Sequence, residues 1–248
     1  MTIWNHQTIV LSQGYEGLKD FVLSLPERFK KGDGKVIHNM RNQVRCIDYD
    51  GAVYVVKSFK RPNVINRWVY GVFRRSKAER AYCNAMLYEK AGVGTPKPIG
   101  YLNIRNGLAF GQSYFVTLKS SCPWRYEDLF THKLPYADEV LAEVGRITGI
   151  LHDHGMVHKD YGRANILFEK NSKGKIRLDI VDLNRMAFGK VDIKQGCKNF
   201  ERLPATPHMQ RIMADAYARE RGFDAEECYR LIRKYRSTQL ELIDGELV

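Results

Sequence analysis

The chain has 248 residues, 44% hydrophobic and 27% charged, a balance that excludes a disordered or membrane-spanning polypeptide and suffices for one large domain or two lobes. Forty Lys and Arg against 28 Asp and Glu leave a net charge of +12, which favours anionic partners such as nucleic acid, acidic lipid or polyphosphate without choosing among them. Five cysteines with no Cys-x-x-Cys pair predict free thiols in a reducing compartment, and with no secretory signal or long apolar run a cytoplasmic protein is expected, touching a membrane only at its surface.

No internal repeat, low-complexity tract or Pro/Gly/Ser linker divides the chain, so periodicity has to supply the organisation. Leu18, Phe21, Val22 and Leu25 recur at helical spacing before Pro26 and predict an amphipathic helix that covers the segment C-terminal to it. Strands are predicted at Lys35 to Met40, Val44 to Tyr49 and Ala52 to Phe59, the last two joined by the hairpin dipeptide Asp50-Gly51. Residues 60 to 75 combine an apolar helical stripe containing Trp68 and Phe73 with Lys60, Arg61, Arg67, Arg74 and Arg75. That composition suits an anionic membrane surface, and it equally suits a helix packed on the protein with solvated arginines. A helix over Ser76 to Ala91 stops at Gly92, and strands are predicted near Lys97 to Leu102 and Leu108 to Lys119. In the second half, Val140, Leu141, Val144, Ile147 and Leu151 form one helix face, Ile166 to Glu169 and Ile176 to Asp182 read as strands, and the sequence beyond Pro207 is helical and charged.

The chemistry concentrates in His158-Lys159-Asp160, in Asn165 five positions after that aspartate, and in Val181-Asp182-Leu183-Asn184. Any one of these alone reads as a turn residue or a helix cap; together and in this order they resemble the catalytic and metal-binding loops of protein-kinase-like enzymes, and the resemblance implies phosphoryl transfer, which asks for positioning and charge neutralisation. One carboxylate, Asp160, would orient the acceptor hydroxyl. An amide oxygen from Asn165 and a second carboxylate from Asp182 would hold Mg²⁺, a hard cation that takes oxygen ligands. Asp182 closes the strand face of Ile176, Leu178 and Ile180, where a carboxylate is costly unless a cation meets it. Lys57 shares a strand face with Val53, Val55 and Phe59, and either snorkels to solvent or meets phosphates and a carboxylate. Glu79 is the candidate partner for that lysine, yet Ser76-Lys77-Ala78-Glu79 is also a capping box in which Glu79 would serve only the helix end.

The first hairpin departs from ordinary protein kinases. It has no G-x-G-x-x-G, and its tip, His38 to Gln43, would place Arg41 and Asn42 over phosphates. Leu118 and Lys119 sit where the hinge would bracket an adenine.

Within that superfamily, Val55 to Lys60, Ser76-Lys77-Ala78, Gly92 to Pro98, His154 to Asp160 and Asp182-Leu183-Asn184-Arg185 look like the lipopolysaccharide kinases, the Kdo and heptose kinases of the inner core. The resemblance implies an α+β, bilobal protein-kinase-like fold. Residues 1–119 would form an antiparallel-sheet N-lobe with one main helix, and residues 120–248 a compact, mostly helical C-lobe. It further implies ATP and Mg²⁺ as cofactors, and as acceptor a lipopolysaccharide core sugar, Kdo before heptose, met at the inner face of the inner membrane. Sixty-six residues come after Asp182 without an Ala-Pro-Glu, and Asn184 replaces the glycine of D-F-G, so no activation-loop switch is expected. Two rival readings are a small-molecule or atypical protein kinase on the same scaffold, and an inactive, basic nucleic-acid-binding relative. No zinc finger or RNP-type aromatic motif supports the second, and no nucleic-acid partner is expected.

Overall fold

The structure, a computed structural model, describes residues 5–39, 42–59, 75–106 and 109–235. Arg41 and nearly all of the amphipathic segment at 60 to 75 lie outside the described residues. The chain divides into two compact units, residues 1–86 with 96–120, and residues 87–95 with 121–248.

The first unit is built on six antiparallel strands: β1 (Asn5–Leu11), β2 (Lys35–Asn39), β3 (Asn42–Tyr49), β4 (Ala52–Phe59), β5 (Pro98–Asn106) and β6 (Ala109–Leu118). They form one sheet in the order β1-β5-β6-β4-β3-β2. Asp50 and Gly51 join β3 to β4 with φ of 47° and 74°, the two positive values a tight hairpin turn demands. Strand β1 is an addition to the strands expected from periodicity. Asn5, His6, Gln7 and Thr8 leave its first half without an apolar alternation, and its partner β5 lies far along the chain.

Helix α1 (Lys19–Lys31) covers one face of this sheet, burying Phe21, Val22, Leu25 and Phe29 against Ile47, Tyr54, Val56, Ile99, Leu102, Tyr114 and Val116. It runs on through Pro26, where the sequence pattern alone would end it. A proline inside a helix costs about 3 kcal/mol. Burial of Leu25 before it and Phe29 after it contributes roughly 4 kcal/mol, and packing decides the outcome. The Arg45 guanidinium, 4.9 Å from the Phe29 ring centroid, adds to that side. On the other face, Phe59 and Tyr101 meet Ala78 at the start of α2 (Lys77–Lys90). Tyr54 and Val56 point into the α1 core while Phe59 packs toward α2, so β4 divides its alternate residues between the two faces.

The second unit contains α3 (Ala137–Asp153), α4 (Ile193–Lys198), α5 (Pro207–Arg221) and α6 (Ala225–Tyr235). Two small sheets accompany them. One is made of β7 (Trp124–Arg125), β9 (Ile166–Lys170) and β10 (Ile176–Ile180), with β9 in the middle; the other pairs β8 (Met156–His158) with β11 (Met186–Phe188). Helices α3 and α5 pack so closely that a Cβ on Gly145 would lie 2.4 Å from the Met213 carbonyl oxygen.

Leu87–Thr95 belongs to this second unit, although it falls within the residues expected in the first lobe. Its backbone extends the end of β10. Ile180 N–H donates to the Gly94 carbonyl at 2.9 Å, and the Thr95 hydroxyl donates to the Ile180 carbonyl at 2.8 Å. Tyr88, fully buried, donates to Met186 Sδ at 3.6 Å. Gly94 permits the approach, because a Cβ there would lie 1.9 Å from the Leu178 carbonyl oxygen. Gly94→Ala should therefore cost about 3 kcal/mol or more, read as a lower denaturant midpoint with the same m-value; an unchanged midpoint would show that the strap yields freely.

Candidate active site

The second unit brings Asp160, Asn165 and Asp182 together around one buried imidazole. His158, at the end of β8, is 1% exposed. Its Nδ1 accepts the backbone N–H of Asp160 at 3.1 Å, which leaves Nε2–H to donate to the Val181 carbonyl at 3.2 Å. The two contacts select one neutral tautomer. Burial pushes the His158 pKa down, with the Val181 carbonyl and the Asp182 and Asp160 carboxylates opposing. The ring thereby clamps the loop after β8 to the loop after β10.

Asn165 completes the clamp. Its Nδ2 donates to the Asp160 carbonyl at 2.8 Å, and its own carbonyl accepts Val181 N–H at 2.9 Å. With Nδ2 committed to the backbone, Oδ1 is the atom Asn165 can offer a cation. Asp182 is placed differently from the expectation of a carboxylate on a strand face. Strand β10 ends at Ile180, and Asp182 comes two residues later in a left-handed conformation, φ 60°, with its side chain exposed. The turn lifts the carboxylate off the apolar face, so the burial cost does not arise. Asn184 Nδ2 donates to Asp182 Oδ1 at 3.2 Å. The Asp160 carboxylate receives two guanidiniums, Arg185 Nη1 and Arg202 Nη1, each 2.9 Å from the same oxygen, Oδ1. Amide oxygen and carboxylates in this arrangement suit a hard cation beside a proton acceptor. No cluster of three or more His, Cys, Asp or Glu able to hold a metal occurs among the described residues.

Behind the loops runs a polar chain that sequence reasoning did not anticipate. Arg221 Nη1 donates to the Tyr217 oxygen at 2.9 Å, so the Tyr217 hydroxyl donates to His152 Nδ1 at 3.0 Å. His152 Nε2–H then donates to Asn199 Oδ1 at 3.0 Å, and Asn199 Nδ2 donates to the His158 carbonyl at 2.9 Å. These residues come from α3, α5 and the turn after α4, and no spacing in the chain signals their meeting. Arg202 lies in that same turn, Asn199–Arg202, and is missed for the same reason.

The remaining candidates lie in the first unit. Lys57, on β4, stands opposite Val44 and Phe115, its Nζ 5.5 Å from the Phe59 ring centroid. Glu79 donates its N–H to Ser76 Oγ at 3.0 Å, one half of the capping box, and its carboxylate lies 3.5 Å from Arg75. Tyr101 has its pKa pushed up to about 12, by burial first and the Glu79 carboxylate next. Lys57 and Glu79 thus border the same apolar cluster of Phe59, Ala78 and Tyr101. Asn42, opposite Phe59, has a buried Oδ1 with no partner among the described residues. Leu118 N–H donates to the Lys97 carbonyl and Lys119 N–H to the Val53 carbonyl, both at 2.9 Å, so neither amide is a donor for an adenine ring.

An antiparallel sheet unit and a helical unit with these two loops are the plan of a protein-kinase-like phosphotransferase. The lipopolysaccharide kinase (Kdo/WaaP) family model matches residues 42–235, and the chain belongs to that family. A solved structure of WaaP in complex with acyl carrier protein is similar over 97% of this chain and 99% of that one, with a TM-score of 0.65 at 18% identity. A microcompartment-associated aminopropanol kinase is similar over 85% of this chain and 86% of that one, with a TM-score of 0.53 at 10% identity. No curated protein sequence matches the chain.

The polar chain makes stability depend on pH. Burial pushes the His152 pKa down to about 4, the Asn199 hydrogen bond opposing and the Arg221 charge adding. Below the ordinary value the unfolded chain takes up the proton first. Stability from His152 is therefore complete above about pH 6.5 and declines by roughly 3 kcal/mol as pH falls toward 4. His158 acts with the same sign. His152→Gln, which keeps a donor for Asn199, should be less stable than wild type at pH 7.5 and should lose less between pH 6.5 and 4. Denaturant unfolding across that range measures it, and parallel curves for the two proteins would refute the assignment.

Proposed function

We propose that the chain transfers the γ-phosphoryl group of ATP to a hydroxyl of a lipopolysaccharide inner-core sugar, with Kdo as the acceptor. The observation that carries this reading is the hydrogen-bonded grouping of Asp160, Asn165 and Asp182 around His158 in a member of the lipopolysaccharide kinase family. In the reaction, the acceptor oxygen bonds to the γ-phosphorus as the bond to the β–γ bridging oxygen breaks and ADP departs. The hydroxyl proton passes to Asp160, whose Oδ1 is occupied by the arginines and whose Oδ2 receives it. Asn165 Oδ1 and the Asp182 carboxylate would hold Mg²⁺, which supplies charge neutralisation to the phosphates when bound.

In the first unit, Lys57 is assigned to the phosphates with Glu79 as its partner, Arg41 and Asn42 to the phosphate cover, and the segment at Leu118 and Lys119 to the adenine edge through groups other than those two amides. Kdo is preferred to heptose because its carboxylate suits a chain of net charge +12. The same charge favours work at the anionic cytoplasmic face of the inner membrane. No helix among the described residues is long and apolar enough to cross a membrane.

Transfer of labelled phosphate from ATP to Kdo-bearing acceptors tests the reading. Asn is tolerated in the left-handed conformation at position 182, so Asp182→Asn should fold normally while losing Mg²⁺-dependent nucleotide binding. Asp160→Asn should keep nucleotide affinity within about threefold and slow transfer by about 10² to 10⁴. Equal loss of nucleotide affinity in both variants, or phosphate appearing on protein or amino alcohols and on no core sugar, would overturn it.

A further inference from the structure

Arg185 and Arg202 are more cation than Asp160 alone requires. Each donates only through Nη1, both to Oδ1, and their side chains are 64% and 52% exposed while that of Asp160 is 21% exposed. A guanidinium has five N–H donors in a planar fork, so four on each arginine remain without a partner among the described residues. Asp160 neutralises one of the two charges, and an excess positive charge stays beside the oxygen assigned to accept the proton. The excess continues along the chain. Lys190, Lys194 and Lys198, all exposed, precede Arg202 at intervals of four residues. Asp192, one of two acidic residues between Arg185 and Arg202, already accepts the Gln195 N–H at 2.7 Å. Asn199 fixes the turn that carries Arg202 by its bond to the His158 carbonyl, so the guanidinium is presented from a held backbone.

Resting on the proposed sugar-kinase function, we propose that Arg185 and Arg202 are the specificity-determining residues of the acceptor side, binding an oxyanion that the sugar carries close to the hydroxyl being phosphorylated. A carboxylate and a phosphate both match the open edges of the two forks. A hydroxyl that reaches Asp160 Oδ2 then lies within one sugar ring of the anion. Neutral sugars lack the second contact and are selected against.

The test uses the full chain, ATP and Mg²⁺ with two matched acceptor pairs: a Kdo glycoside against its carboxamide, and a heptoside phosphate against the unphosphorylated heptoside. The readout is the ratio of kcat/KM within each pair. A misplaced Asp160 or a folding defect lowers both members alike and cancels. Wild type should favour the acidic member of at least one pair by about tenfold or more, and Arg185→Gln and Arg202→Gln should each reduce that preference about tenfold. The pair that responds distinguishes carboxylate from phosphate recognition. Preferences unchanged in both variants would overturn the inference. Should wild type phosphorylate none of the four sugars, the proposed function fails, and calorimetric titration of the same compounds decides the inference separately. An acid preference lost in the variants supports it, and equal binding of acidic and neutral members rejects it.

Discussion

The neutral ring of His158 is the constraint on which the candidate site depends. It holds two loops by opposite chemistry on its two nitrogens, accepting from Asp160 N–H and donating to the Val181 carbonyl. A protonated ring has no acceptor at Nδ1, and burial disfavours that form. One tautomer of this side chain, together with Asn165, therefore sets the placement of Asp160 relative to Asp182. The chain from Arg221 through Tyr217, His152 and Asn199 extends the same logic outward, since each of its four bonds has a donor and an acceptor and the direction of each is fixed by the first. Such a directional buried network holds one arrangement and penalises others.

The loop bearing Asp182 is held from the opposite side by backbone. The Gly94 carbonyl and the Thr95 hydroxyl fasten both polar groups of Ile180, and Asn165 fastens Val181, so the backbone leading into Asp182 is anchored. A positive φ at Asp182 then turns the carboxylate away from β10. Held backbone on one side and an exposed carboxylate on the other reconcile two opposing demands, rigid position and access to water-borne ligands.

Much of this was legible in the sequence because it is local. His158, Asp160, Asn165 and Asp182 lie within 25 residues and come in an order that phosphoryl transfer explains. The Asp50-Gly51 hairpin and the shared face of Lys57 and Phe59 reflect turn chemistry and the period of two. What escaped is non-local or depends on a dihedral angle. The continuation of α1 past Pro26 is decided by Phe29 packing on a sheet, the burial of Asp182 was misjudged because no residue pattern encodes its φ, and Arg202 reaches Asp160 from 42 positions away. The grouping of residues 87–95 with the helical unit likewise rests on contacts to β10 that lie some 85 positions further on.

The pairing of β1 with β5 has a consequence for how the chain is made. Leu11 meets Gly100, so β1 has no strand partner until about 90 further residues exist, and α1, which Ile47, Tyr54 and Val56 reach early, completes its covering only with Ile99, Leu102, Tyr114 and Val116. At about 5 to 20 residues per second, the ribosome leaves β1 unpaired and the apolar face of α1 only partly covered for roughly 5 to 20 seconds. During that interval the nascent chain presents an unpaired strand edge and a greasy helix together, the two surfaces that holdase chaperones and aggregation compete for. The first unit can therefore close only when β6, its last strand, has emerged, at a point when the loops bearing Asp160 and Asp182 are still to be translated.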